Sequence, residues 1–180
     1  MKTPIIAVLG RKKSGKTKMI EILASRLSEN GLKVATIKHI RHQDFKLDVE
    51  GKDTWRHMRA GASIVMGISR LKIAYIEKLT EEFNLNRAID LIAGRGANII
   101  LLEGFSSMVA NRADVLKIIM ARNRGELQEI MDKVTPPIIA ISGAVANDLS
   151  EFRKIPVISL SDESKIIELV KKSLNVKRNN

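Results

Sequence analysis

The sequence predicts a three-layer α/β fold with a mostly parallel sheet and one antiparallel hairpin element. Three observations carry this. Short apolar runs alternate with segments of helical spacing along the 180 residues, the pattern of repeated βαβ units. The first apolar run ends in a glycine-bearing loop that opens directly into an amphipathic segment. Two further apolar runs, Ser63–Ser69 and Leu71–Glu77, are joined tightly around Arg70, as a hairpin requires.

Each element follows from local pattern. Pro4–Leu9 is an apolar run closed by Gly10 and suits a buried strand. From Lys16 onward, Met19, Ile20, Ile22, Leu23 and Leu27 keep helical spacing, and Gly31 is placed to end that helix. Lys33–Ile37 reads as the second strand and residues 41–52 as a polar loop. Asp53–Arg59 reads as a short helix with Asp53 as its N-cap, stopped near Gly61. Phe83–Ile92 is helical and Ala97–Leu102 is a strongly apolar strand running into Glu103-Gly104. Val115–Ala121, Ile138–Ser142 and Pro156–Leu160 read as strands, with a helix near Glu126–Lys133. Ser161 is expected to cap a last helix, acidic at its start (Asp162, Glu163) and basic toward its end (Lys171, Lys172), which matches the helix dipole.

Composition narrows the chemistry. A chain of 180 residues suits one domain, spanning 1–180, and buries enough apolar surface to fold without staples. It contains no cysteine, which excludes a disulfide scaffold, a thiolate zinc site and a cysteine nucleophile. No apolar run approaches the roughly 20 residues of a membrane helix. Near the N-terminus the basic residues Arg11, Lys12 and Lys13 follow the apolar stretch, the reverse of a secretory signal, so a cytoplasmic location is expected. The net charge is +11, and +8 of it falls in residues 1–60, where 14 basic side chains face 6 acidic ones.

That charge gathers at a motif. Gly10-Arg-Lys-Lys-Ser-Gly15-Lys16-Thr17 fits G-x-x-x-x-G-K-[ST] at every fixed position, with a strand before it and a helix after it. The glycines let the backbone wrap so that its N–H groups point at phosphate, and the helix N-terminus adds roughly half a positive charge. Lys16 is expected to reach the β- and γ-phosphates and Thr17 to hold Mg²⁺. Ser14, Lys13 and Lys18 join the phosphate-binding candidates. The fold expectation thus sharpens to a P-loop NTPase. Such a site needs a second acidic group at the end of another strand. Glu103 is the one charge closing the apolar run Asn98–Leu102, where burying it without a partner would cost several kcal/mol. Thr17 and Glu103 are therefore the metal candidates.

The stretch after strand two, from Lys38-His39 to Asp53-Thr54, is crowded with charge. In P-loop enzymes this position lies near the γ-phosphate. Asp44, Asp48 or Asp53 could contact Mg²⁺ or orient water, with Asp53 the catalytic candidate; Lys38 and Lys52 could meet phosphate. A zinc site from His39, His42 and a carboxylate lacks any strict ligand spacing.

At these residues the chain resembles the MobB family, the molybdopterin-guanine dinucleotide biosynthesis B proteins. The resemblance rests on the P-loop with Ser14, on Ile37-Lys38-His39, on Asp44-Phe45-x-Leu47-Asp48-x-x-Gly51-Lys52-Asp53-Thr54, on Arg56-His57 and Ala60-Gly61-Ala62, and on Glu103-Gly104-Phe105. It departs at Gln43, Lys46, Glu50 and Ser106. The family implies a homodimeric GTP-binding protein with weak Mg²⁺-dependent GTPase activity. It implies action beside a MobA-like nucleotidyltransferase that joins GMP to molybdopterin, with molybdopterin as a bound substrate. By position, Gly10, Ser14, Gly15, Lys16 and Thr17 match its phosphate and Mg²⁺ sites, and Glu103 its second acidic motif.

No Asn/Thr-Lys-x-Asp motif for guanine occurs. Asn147 and Asp148, after a late strand, are the base-contact candidates. Two other functions use the same features. A small-molecule kinase would place a substrate hydroxyl near Asp44 or Asp53 and needs a closing lid, and no lid-like insertion is apparent. A nucleic-acid binder would use the net charge of +11, but only six aromatic residues are available for stacking.

Overall fold

The computed structural model describes residues 2–40 and 48–178. The chain divides into two compact units, one built from residues 1–39 and 86–180 and the other from residues 40–85.

In the larger unit, β1 (Ile5–Gly10), β2 (Val34–Lys38), β5 (Ile99–Glu103), β6 (Val115–Met120) and β7 (Ile138–Ser142) form a parallel sheet in the order β2-β5-β1-β6-β7. The three inner strands β5, β1 and β6 are almost unbroken apolar runs because both sheet faces are covered there, whereas the edge strand β2 has no buried residue. On one face α1 (Lys16–Glu29) and α6 (Glu163–Arg178) pack. Met19, Leu23 and Leu27 of α1 and Ile166, Ile167 and Val170 of α6 join Ile6, Val8, Leu101, Ile118 and Met120 in one core. Alternate residues of β1 point the other way, where α4 (Ser106–Val109) lies against β1 and α5 (Arg124–Met131) against β6. The helix α3 (Leu85–Ala93) precedes β5.

One residue breaks the apolar rule. Lys117, in the middle of β6, is fully buried. Its Nζ donates to the carbonyls of Arg112 at 2.6 Å and Val115 at 3.2 Å. The ammonium thus fastens the turn that feeds the strand, replacing water it could not otherwise give up cheaply.

Chain order reverses at β1. β5 lies on one side and β6 on the other, and in open α/β sheets ligands bind beyond the carboxyl ends of the strands at such a switch point, where Gly10 leaves the sheet.

The smaller unit holds α2 (Asp53–Arg59) and an antiparallel hairpin of β3 (Ile64–Ile68) and β4 (Ile73–Glu77). Val65 faces inward, and Thr54 of α2 lies against Gly67, so α2 covers one face. On the other face Met66 pairs with Tyr75 and Ile68 with Ile73, with Ile64 in line. These five side chains remain 42–72% exposed.

Three sequence expectations change at the edges of elements. Asp53 is the first helical residue of α2, and Lys52, in extended conformation, occupies the N-cap. Asp48 supplies the local bonds instead, accepting from Thr54 Oγ1 at 2.8 Å and Val49 N at 2.9 Å. The last helix is capped by Asp162, which accepts from Lys165 N at 3.2 Å, while Ser161 bonds Ser159. The expected strand Pro156–Leu160 shrinks to a two-residue ladder, β8 (Glu151–Phe152) with β9 (Ile155–Pro156), and a single parallel bridge from Val157 to Ile141.

Candidate functional site: a phosphate cradle with a strand-end carboxylate

The loop from Gly10 to Gly15 is shaped by close packing. A Cβ at Gly10 would lie 2.3 Å from the Met120 carbonyl oxygen and 2.6 Å from Ser14 Oγ, so no side chain fits where β1 crosses the end of β6. Gly15 adopts the left-handed region at φ +96°, between Leu160 and Met120. Lys13 also has positive φ, 63°, and its side chain is exposed. Ser14 is buried, and its Oγ has no hydrogen-bond partner among the described residues. A buried hydroxyl of this kind calls for a partner, and a phosphate oxygen in the cradle would supply one.

Lys16 begins α1 and its Nζ donates to the Arg11 carbonyl at 2.6 Å, across the loop it closes. The Arg11 guanidinium reaches Glu129 on α5. Beside it Glu126 is buried: burial pushes its carboxyl up, but the Arg122 guanidinium and backbone N–H outweigh this and hold it below the usual carboxylate range. Asn123 caps α5 by accepting from Glu126 N at 2.9 Å. The N-x-x-E spacing is a capping signature the sequence carried. By contrast, the tie from Arg11 to α5 joins residues 118 apart and left no local signal.

Thr17 and Glu103 come from elements 86 residues apart and meet directly. Thr17 Oγ1 donates to Glu103 Oε1 at 2.9 Å. Lys38 Nζ lies 3.4 Å from the same oxygen, and Lys38 and Glu103 share the last rung of the β2–β5 ladder. The Glu103 side chain is 12% exposed. A hydroxyl and a carboxylate oxygen beside a phosphate cradle form the hard oxygen donor set that suits Mg²⁺. Among the described residues no cluster of three or more His, Asp and Glu side chains is arranged to hold a metal by itself.

The remaining candidates are placed as follows. Lys18 lies on the exposed side of α1, 3.7 Å from Glu21. Asn147 and Asp148 are exposed, at the end of a 3-10 turn (Ala144–Asn147) that follows β7 at the carboxyl edge. Asp48, Lys52 and Asp53 belong to the smaller unit, where Asp53 sits 3.9 Å from Arg56 within α2. Asp44 and His42 fall outside the described residues.

Comparison with known proteins agrees with this architecture. The family model for molybdopterin guanine dinucleotide synthesis protein B matches residues 5–144. A molybdopterin-guanine dinucleotide biosynthesis adapter protein of Haemophilus influenzae is 25% identical over 160 residues, covering 87% of this chain and 85% of that one. A relative from Methanocaldococcus jannaschii, given the same adapter role in its name, is 30% identical over 135 residues. That match covers 75% of this chain but spans only about half the relative's length, 54%. The crystal structure of Bacillus subtilis MobB superposes with a TM-score of 0.75 at 25% identity, over 93% of this chain and 96% of that one. With the family model matching well over half of its length, the chain belongs to the MobB family.

Proposed function

We propose that this protein is a Mg²⁺-dependent GTP-binding protein with weak GTPase activity. In this reading it serves as an adapter beside a MobA-like nucleotidyltransferase that attaches GMP to molybdopterin. The observation that carries the reading is the 2.9 Å contact between Thr17 Oγ1 and Glu103 Oε1 at the lip of the Gly10–Thr17 cradle. The adapter role follows the names of the relatives and has no residue of its own on this chain.

In this reading Lys16 leaves the Arg11 carbonyl for the terminal phosphates and neutralises charge that builds there during hydrolysis. Thr17 and Glu103 would hold Mg²⁺, which would supply positive charge against the phosphate oxygens. Ser14 donates to phosphate from its buried position. Asn147 and Asp148 stand at the edge where a base would lie and offer it hydrogen bonds. In this reading turnover is slow. The chain works as a homodimer, supported by the exposed apolar face of the β3–β4 hairpin. Work of this kind belongs in the cytoplasm, and no helix among the described residues is long and apolar enough to cross a membrane.

Equilibrium binding of GTP with and without Mg²⁺ tests the reading. Lys16→Ala should weaken Mg²⁺-GTP binding at least tenfold and abolish turnover, since it removes a charge-assisted contact worth about 1.5–3 kcal/mol. Equal binding by the variant would overturn the phosphate assignment.

A further inference from the structure

Glu103 is held by more than its own strand. The β2–β5 ladder ends at the pair Lys38 and Glu103, yet the next residue, His39, continues the grip in three ways. Its backbone N–H donates to the Glu103 carbonyl at 2.9 Å. Its ring Nδ1 lies 3.2 Å from the Gly104 carbonyl oxygen. Its imidazole stacks on Phe105, with ring centroids 5.2 Å apart and planes inclined by 24°. Phe105 is itself buried, so the stack has a fixed base.

Gly104 explains why such a clasp is needed. Its φ is +89°, so the chain turns sharply just after the carboxylate-bearing residue. A Cβ there would lie 3.1 Å from the His39 carbonyl oxygen, so the two backbones touch without a side chain between them. A turn of this kind has no ladder to hold it. The carbonyl of Gly104 can only accept, so Nδ1 must carry the proton that bonds it.

We propose that His39 is a positioning residue for the metal-binding carboxylate. Through the Nδ1–H bond to Gly104 it fixes the turn that aims Glu103 at Thr17. The inference rests on the nucleotide reading above. It predicts that the side chain of His39 governs, through Glu103, how strongly Mg²⁺ supports nucleotide binding.

Three variants separate the contributions. His39→Ala removes both ring contacts. His39→Phe keeps an aromatic ring on Phe105 and loses the donor. His39→Asn loses the stack and keeps an N–H donor at nearly the position of Nδ1. The readout is the Mg²⁺ concentration that half-saturates the gain in affinity for a fluorescent GTP analogue, with urea midpoints measured alongside. Loss of an outer-shell partner typically costs ten- to a hundredfold in metal affinity. The half-saturating Mg²⁺ concentration should therefore rise about tenfold in His39→Ala and His39→Phe. It should return to within about threefold of wild type in His39→Asn, while affinity measured without Mg²⁺ stays unchanged in all three. Wild-type Mg²⁺ response in His39→Phe would overturn the inference, as would failure of His39→Asn to restore it. Should the wild-type protein bind no nucleotide at all, the nucleotide reading falls and this inference falls with it. A Mg²⁺ response present in wild type and unmoved in every variant overturns the inference alone.

Discussion

Lys117 shows how far a single residue can depart from the pattern around it. It reads in sequence as a charge inside an apolar strand, yet it is fully buried and its ammonium is spent on the carbonyls of Arg112 and Val115. Lys117→Met keeps the length and the apolar stem but leaves those carbonyls without that donor. Each unsatisfied buried group costs about 1–3 kcal/mol. The variant should therefore lose stability of that order in urea denaturation, and an unchanged midpoint would show the ammonium to be dispensable. At the phosphate cradle the sequence was far more legible. Gly10, Gly15, Lys16 and Thr17 stand in one local motif whose spacing dictates its geometry, and Glu103 announced itself by closing an apolar run. The clasp of His39 on Gly104 and Phe105 was not legible, because it joins residues 65 apart and depends on register between β2 and β5.

At the scale of elements, the inner strands of the parallel sheet were located closely, because burial on both faces leaves an uninterrupted apolar signature. Caps and short strands were less legible. Ser161, Asp162 and Glu163 all suit a helix start, and only tertiary placement decided for Asp162. The β8–β9 ladder is two residues per strand, too short to show any period. The hairpin was clear as a hairpin, but its consequence needed the structure. Alternation places Ile64, Met66 and Ile68 on one face with Ile73 and Tyr75 opposite them, and α2 covers only the other face. These five exposed apolar side chains are the surface that the proposed dimer would bury. Met66→Lys together with Ile68→Lys should convert the proposed dimer to a monomer in light scattering while leaving nucleotide affinity within about twofold. A dimer that survives both substitutions would remove the hairpin from the interface.

For the molecule as a whole, acid stability depends on ties at the edge of the sheet opposite the cradle. Arg112 forms two hydrogen bonds to Asp114, at 2.9 Å and 2.6 Å, and Lys2 lies 3.7 Å from the same carboxylate. The Arg112 hydrogen bonds hold the Asp114 carboxyl at about 2, below its ordinary 3.8, against the opposing pull of partial burial. The folded state therefore binds this proton less readily than the unfolded chain. The resulting stabilisation is complete above the ordinary value and is lost as pH falls from there through about 2. Urea midpoints measured between pH 5 and pH 2 should fall less steeply for Asp114→Asn than for wild type. Parallel curves would assign the acid limb to other carboxylates. Net charge gives no such local handle, but part of the basic excess of the first 60 residues lies in the Gly10–Thr17 motif itself, at Arg11, Lys12, Lys13 and Lys16.

The exit of β7 carries one more consequence. Gly143 has φ +102°, and a Cβ there would stand 2.4 Å from the Ala121 carbonyl oxygen. On the other side of the same strand end, Gly10 presses on Met120. The two glycines thus close on the chain at consecutive residues, Met120 and Ala121, where β6 leaves the sheet, and the turn bearing the base-contact candidates Asn147 and Asp148 starts directly after Gly143. Redesign of base preference must therefore respect a constraint that is invisible from the ligand's side. Residues 144, 147 and 148 are exposed and open to variation, but Val145 is buried and the glycine hinge before them cannot carry a side chain. A library that randomises position 143 together with that turn would spend most of its members on chains that cannot form the turn.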